Sequence, residues 1–278
     1  VNLSQQLLIA AGLGVVVGIS SALALVALRR SEKKTKYQFK ETAPKTYSVV
    51  LSPKMISTIS LRWFGPKFSP KDVPRFYDAA SITEKPDSFR LVIDILVSRY
   101  GPGGELSQPR PTKVLGFDAR GFIFGAGLAL ELGLPLVLLR KDRKSPGPLV
   151  ESGAFTKEYV ETKEEKMSLR LGSIVPGDRV ILVDDLIATG GTALSGFELV
   201  SALGGTVHEF AAVTELPTLK GVDRIRAAEG GKYRDVPILN ILLDSDLGPE
   251  SCWDPAGWKE DGRVVPREVA KSVQGAKV

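Results

Sequence analysis

The run from Val180 to Thr192, Val-Ile-Leu-Val-Asp-Asp-Leu-Ile-Ala-Thr-Gly-Gly-Thr, constrains this chain more than any other stretch of it. Four β-rich apolar residues lead straight into two carboxylates, and an unbroken apolar run bounded by a polar turn reads as an interior strand of a parallel sheet. Thr192 to Leu203 reads as the helix that follows. Gly190 and Gly191 allow a tight turn and a close approach of ligand to backbone, so that N–H groups of the loop and of the helix N-terminus point at an anion. The hydroxyls of Thr189 and Thr192 assist. Asp184 and Asp185, at the carboxyl end of the strand, suit two vicinal sugar hydroxyls as hydrogen-bond acceptors. No Gly-Lys-[Ser/Thr] follows the glycines, which disfavours a P-loop nucleoside triphosphatase.

Upstream and downstream of this run, short apolar strands alternate with helical patterns. Strands are expected at Lys113 to Phe117, Leu136 to Leu139, Val180 to Asp184, Val207 to Val213 and Ile238 to Leu243, with helices near Gly121 to Leu132 and Thr192 to Leu203. That order predicts an α/β fold, a parallel sheet with helices on both faces. Open sheets of this kind bind ligands outside the carboxyl ends of their strands, so the loops after Phe117, Leu139 and Asp184 are expected to converge. The first, Asp118-Ala119-Arg120-Gly121, opens a helix with an Arg beside a Gly. The second, Arg140-Lys141-Asp142-Arg143-Lys144-Ser145-Pro146-Gly147-Pro148, is densely cationic and suits a pyrophosphate: Arg grips phosphate oxygens bidentately and Lys supplies a mobile point charge.

The Val180 to Thr192 run resembles the phosphoribosyl pyrophosphate (PRPP) signature of the type I phosphoribosyltransferases, and its Asp-Asp-Leu-Ile-Ala-Thr-Gly-Gly-Thr wording is similar to that of the adenine phosphoribosyltransferase family. The resemblance extends from about Leu61 to Asp244 through several motifs in the same order. It implies the type I phosphoribosyltransferase fold, a parallel sheet with helices on both faces and a small hood. Trp63 to Asp78 looks like the purine-covering hood in its kinetoplastid form, so that backbone groups near Arg75 would read the adenine edge while Phe76, Ile187 and Ala188 would sandwich the ring. By the same resemblance Asp118-Ala119 would be joined by a non-proline cis peptide. Arg120, Arg140 and Lys144 would hold the pyrophosphate, Ala188, Thr189, Gly190, Gly191 and Thr192 the 5′-phosphate, and Asp184 and Asp185 the ribose. Glu158 would assist proton transfer at the purine N7 to N9 system, and Tyr159, on the same mobile lid, would close over the reacting centre. The implied reaction is Mg²⁺-dependent transfer of ribose 5-phosphate from PRPP to adenine, giving AMP and pyrophosphate, with Mg²⁺ held by PRPP and water and by no direct side-chain cage. A homodimer, or a heterodimer with a similar chain, is the expected assembly.

Composition narrows the remaining options. A chain of 278 residues, 43% apolar and 25% charged, suits one α/β domain with appendages. One Cys, Cys252, and one His, His208, exclude a disulfide framework, a zinc cluster and a Ser-His-Asp triad with more than one candidate base. The net charge of +5 suits an anionic substrate, but basic residues cluster at Arg29-Arg30 and Lys33-Lys34, and no nucleic-acid partner is expected. Leu7 to Leu28 carries no charged side chain, and at 1.5 Å per residue it reaches roughly 33 Å, enough to cross a bilayer's hydrocarbon. It predicts a transmembrane helix, with Gly14, Gly18 and Ala22 forming a small-residue face on which another helix could pack. The basic residues from Arg29 to Lys36 follow it, which favours the mitochondrial inner membrane with the domain on the matrix side, another intracellular membrane being the alternative.

The expected organisation is an anchor over 1–30, a basic linker over 31–60 containing Pro44 and Pro53, the phosphoribosyltransferase domain with its hood over 61–247, and an irregular arm over 248–278. A competing reading makes the chain a phosphoribosyltransferase-like accessory subunit of a large mitochondrial inner-membrane respiratory complex, structural or nucleotide-binding in role. A third makes it a PRPP sensor.

Overall fold

The computed structural model describes residues 36–69, 73–141, 143–153, 155–156, 164–254 and 267–268. The expected membrane helix, Leu7 to Leu28, lies outside them; among the described residues no helix is long and apolar enough to cross a membrane. The first half of the chain forms a hairpin of β1 (Phe39–Ala43) and β2 (Thr46–Val49), helix α1 (Pro53–Ile59), a ribbon of β3 (Arg62–Phe64) and β4 (Phe76–Asp78), and helices α2 (Ala80–Thr83) and α3 (Pro86–Tyr100). There follow β5 (Lys113–Phe117), α4 (Arg120–Leu132), β6 (Leu136–Lys141), β7 (Leu149–Glu151), β8 (Phe155–Thr156), β9 (Glu164–Glu165) and β10 (Met167–Arg170). The last part holds β11 (Arg179–Ile187), α5 (Gly191–Ala202), β12 (Thr206–Glu215), α6 (Gly221–Gly231) and β13 (Ile238–Asn240).

The main sheet has nine strands in the order β1-β2-β13-β12-β11-β5-β6-β10-β7. From β2 to β6 every neighbouring pair is parallel, and the outer strands at both edges are antiparallel. Alternation of side chains along the strands divides the core in two. Val114, Ile181, Val183, Ala211 and Val213 pack on one face with Val92 and Leu96 of α3 and Phe124 and Leu128 of α4. Leu115, Val180, Leu182, Phe210 and Ala212 pack on the other with Phe197 and Val200 of α5. This two-sided burial is why the strands read as unbroken apolar runs, and the parallel pairing sets their carboxyl ends at one edge of the sheet.

Strands β6 and β12 each run two residues past the expected end, to Lys141 and Glu215, and two boundaries differ by three. Strand β11 continues through both aspartates to Ile187, because β12 stays in register with it as far as the pair Ile187 and Glu215. Strand β13 ends at Asn240, although Ile241 and Leu242 still donate to the carbonyls of Ala212 and Val213 at 3.1 and 2.8 Å.

The sequence reading treats 31–60 as a linker, and its described part is instead folded. Strand β2 pairs parallel with β13, and α1, capped by Ser52 accepting from Met55 N at 3.3 Å, packs on α3. The cause is a set of distant partners. The guanidinium of Arg99, 1% exposed, lies 4.7 Å from the Phe39 ring centre and 4.6 Å from that of Tyr47, and is held by both oxygens of Glu209 at 2.7 and 2.6 Å. Arg226 Nη2 donates to Lys45 O at 2.6 Å. Pro44 sits in the two-residue hairpin turn and Pro53 in the first turn of α1, places where a missing N–H costs nothing. Prolines that suggest a tether here punctuate a folded unit.

Candidate active site

The carboxyl ends of β5, β6 and β11 open onto one cleft of about 290 Å³. From β5 come Asp118, Ala119 and Arg120, from β6 Lys141, from β11 the two aspartates, and from the turn into α5 Thr189, Gly190 and Thr192. The three loops therefore converge as the topology requires, and the Asp118–Ala119 peptide is cis.

The turn into α5 depends on two glycines. Gly190 has φ +81°, and a Cβ there would lie 2.7 Å from the carbonyl oxygen of Gly221 and 3.0 Å from Ile225 Cγ1. On Gly221 a Cβ would lie 2.2 Å from the carbonyl oxygen of Ala188. Loop 188–190 can thus rest directly on the start of α6, backbone against backbone. Gly190 stands at the N-cap of α5 and offers no side-chain acceptor, so that helix begins at the cleft with its first N–H groups lacking a side-chain cap.

A third close approach brings the charged groups together. A Cβ on Gly121 would meet Val183 O at 2.5 Å and Asp184 Oδ1 at 3.0 Å, so the first turn of α4 lies against the end of β11. Arg120 Nε consequently stands 2.9 Å from Asp185 Oδ2, an ion pair whose carboxylate side is 7% exposed. The backbone N–H of Asp185 donates to Asp184 Oδ1 at 2.9 Å. Arg140 Nε faces Asp118 Oδ2 at 3.7 Å.

Burial, reinforced by the adjacent Asp185 carboxylate, pushes the Asp184 carboxyl well above the usual carboxylate range, even though the residue keeps some surface on the cleft side. A folded-state pKa raised above the unfolded value of 3.8 contributes stability that is present below that value and lost as pH rises through the raised one. Asp184→Asn is accordingly expected to raise the melting midpoint of the ligand-free protein at about pH 8 and to change it little at about pH 4. Thermal melts at the two pH values check this; an equal shift at both would place the effect elsewhere than in Asp184 ionisation.

Asp118, Ala119, Arg120, Asp184, Asp185, Ile187, Ala188, Thr189, Gly190 and Thr192 border the cleft, and Gly191 forms the first, buried turn of α5. Ile187 is 2% exposed, its side chain in the core with Ala193, Phe197 and Ile225, whereas Leu186, its neighbour on the other face of β11, is only half-buried. Arg75 and Phe76 stand in the β3–β4 ribbon and do not line the cleft. Arg140 and Lys144 do not line the cleft either: Arg140 borders a separate hollow of about 680 Å³ with Ser145 and Pro146, and its Nη1 donates to Lys144 O at 3.5 Å. Glu158 and Tyr159 lie outside the described residues.

Besides the residues given individual roles above, Lys141, Leu186, Ala193 and Phe210 line the cleft. Lys141 shares a face of β6 with the buried Leu139, and Leu186 shares a face of β11 with Asp184. Period-two alternation carried one step past each predicted strand end finds both.

Comparison with known proteins gives a consistent result. A profile described as phosphoribosyl transferase domain matches residues 78–232. The adenine phosphoribosyltransferase of Mannheimia succiniciproducens is 41% identical over 158 residues, 57% of this chain and 82% of that protein. Adenine phosphoribosyltransferase 1 of Triticum aestivum is 40% identical over 177 residues, 64% of this chain and 87% of that one. Among solved structures, the adenine phosphoribosyltransferase of Trypanosoma brucei in complex with AMP, pyrophosphate and ribose-5-phosphate superposes with a TM-score of 0.76 at 37% identity, covering 85% of this chain and 99% of that chain. The Leishmania donovani enzyme gives 0.75 at 40% identity, with 84% and 98% covered.

Proposed function

Since the chain belongs to the phosphoribosyl transferase family and, within it, to the adenine phosphoribosyltransferases, we propose that it joins adenine to the ribose 5-phosphate of PRPP, the AMP-forming step of purine salvage. It is an enzyme of pentosyl transfer. The observation that carries the reading is one cleft holding both the Asp184-Asp185 pair and the uncapped α5 N-terminus behind a left-handed Gly190.

Roles follow from this geometry. Amides at 189–192 and the Thr189 and Thr192 hydroxyls receive the 5′-phosphate dianion. Asp185, paired with Arg120, and Asp184 accept the ribose hydroxyls. Arg120, Lys141 and Arg140, the cations ringing the β5 and β6 ends, face the pyrophosphate. The C1–O bond to pyrophosphate breaks, its electron pair leaving with pyrophosphate; the bond from adenine N9 to C1 forms, and the N9 proton is lost. Positive charge developing at C1 is stabilised by fixed carboxylates that need no reorganisation. Glu158 is the proposed acceptor of the purine proton and Tyr159 the cover over the reacting carbon, both carried over by resemblance alone. Leu186, with Ala188, supplies apolar surface for the base on the sheet side, and Phe76 on the hood side.

A Mg²⁺ ion held by PRPP and water fits a rim of three carboxylates, where Asp118 and Asp185 each keep one oxygen outside any hydrogen bond while standing within ion-pair distance of an arginine. When bound it would neutralise charge on the departing pyrophosphate. Purified protein with PRPP, Mg²⁺ and adenine is expected to form AMP; no AMP under saturating conditions removes the proposal.

We also propose that Leu7 to Leu28 tethers the enzyme to a membrane, the matrix side of the mitochondrial inner membrane being favoured, on the strength of its uncharged length and the basic residues after it. Retention in the membrane pellet after alkaline carbonate washing supports the tether, and release into the supernatant excludes it. A homodimer is the proposed assembly. Mild-detergent extraction of an active dimer excludes the accessory-subunit reading, whereas co-migration with a respiratory complex without AMP formation would replace the enzymatic one.

A further inference from the structure

The β3–β4 ribbon has only two strands of three residues each, too little to hold a position by its own ladder. Support comes from the segment after β13. The Oδ1 atom of Asp244 accepts from the Tyr77 hydroxyl and from Arg75 Nη1, the latter at 3.3 Å. Arg75 Nη1 also donates to Leu247 O at 3.0 Å, and its guanidinium lies 4.8 Å from the centre of the Trp63 ring. Trp63 in turn donates from Nε1 to Gly248 O at 3.2 Å and accepts at its carbonyl from Trp253 N at 2.9 Å. At the end of the ribbon Gly65 N donates to Asp254 Oδ1 at 2.8 Å, and Arg62 stacks 3.8 Å over Trp253.

These contacts have one origin in the sheet. Leu242 N still bonds Val213 O at 2.8 Å, so Asp244 stands two residues beyond a point fixed to the carboxyl end of β12, the edge at which the cleft opens. Tyr77 is 1% exposed. Because side chains alternate along β4, holding Tyr77 inward turns Phe76 to the opposite face. Asp244 Oδ1 therefore ties β4 to the sheet at Tyr77, beside the position that sets the facing of Phe76, through contacts that involve none of the phosphate-loop residues.

We propose that Asp244 is a positioning residue for the heterocyclic base: it sets the hood against the sugar-phosphate cleft and so controls affinity for the purine without affecting affinity for the sugar phosphate. This rests on the adenine phosphoribosyl transfer argued above. The side chain of Arg75 is committed to this clamp, which leaves its backbone to face the base.

The test compares the full chain with Asp244→Ala, Asp244→Asn and Tyr77→Phe, measuring KM for adenine, KM for PRPP, kcat and the melting midpoint. Asp244→Ala is expected to raise KM for adenine on the order of tenfold with KM for PRPP held within about twofold. Asp244→Asn keeps an acceptor for the Tyr77 hydroxyl and is expected to recover most of that loss. Tyr77→Phe, which removes one hydrogen bond at constant shape, should raise KM for adenine by about threefold, and it carries the test alone should Asp244→Ala not fold. A fall in kcat with both KM values unchanged would mean a merely structural clamp and overturns the proposal, as do unchanged kinetics. Should the unmodified chain form no AMP, the enzymatic reading fails separately, and calorimetry decides for Asp244: AMP binding weakened while ribose 5-phosphate binding is kept supports the clamp, and equal loss of both overturns it.

Discussion

Asp185→Asn is expected to lower kcat/KM for PRPP by roughly 10²- to 10³-fold, the range seen when one preorganised group that stabilises developing charge is removed. The substitution keeps the shape of the side chain, so the effect is electrostatic. Asp185 is 5% exposed and its Oδ2 lies 2.9 Å from Arg120 Nε. An amide there leaves Arg120 without a counter-charge and offers the ribose diol a neutral acceptor in place of a charged one, where charge-assisted bonds are about twice as strong as neutral ones. Steady-state AMP formation with a parallel thermal melt checks it. A rate within about threefold of the parent would show that the carboxylate pair does not hold the ribose.

The second large effect is expected at Gly190. With φ +81° and its hypothetical Cβ 2.7 Å from a backbone carbonyl oxygen, Gly190→Ala has to move loop 188–190, α6, or both. The backbone conformation alone costs about 1–2 kcal/mol. Displacement of the amides should add a rise in KM for PRPP on the order of 10²-fold, since misplacement by about an ångström carries that much in a preorganised site. Gly133→Ala separates the two contributions: φ is +63° there, and nothing lies within 4 Å of the added carbon. That variant should lower the melting midpoint while leaving KM for PRPP unchanged. Equal kinetics in the two variants would remove the assignment of loop 188–190 as the phosphate cradle.

The parts of the site legible in sequence are those written in consecutive residues. Strand, carboxylates, glycines and helix follow one another between Val180 and Leu203, and both the alternation of elements and the convergence of loops follow from short-range pattern and the rule for parallel sheets. Legibility ends where a partner is far along the chain. Glu209 is 110 residues from the arginine that it holds, and Lys45 O is 181 residues from Arg226, so the hairpin at 39–49 looks like a polar connector until both partners are in place. The same distance hides the clamp on the hood, where Tyr77 meets Asp244 across 167 residues. Lys141 and Leu186 are a different case. Their strands run past the last obvious apolar residue, and the phase of the side chains is fixed by ladder pairing that composition does not reveal.

The N-terminal hairpin also acts as a guard. Strand β2 covers the outer side of β13 through Thr46, Tyr47 and Ser48, and β1, with four of its five residues exposed, ends the sheet in a short stretch carrying Lys40 and Glu41. A chain that began at Leu61 would uncover β13, three fully buried residues, as a raw hydrogen-bonding margin, with Arg99 stripped of both aromatic rings. Margins of that kind recruit other copies edge to edge. The residues that resemble a spacer are therefore expected to bear on solubility, and their deletion to show as light scattering at concentrations where the intact chain stays clear.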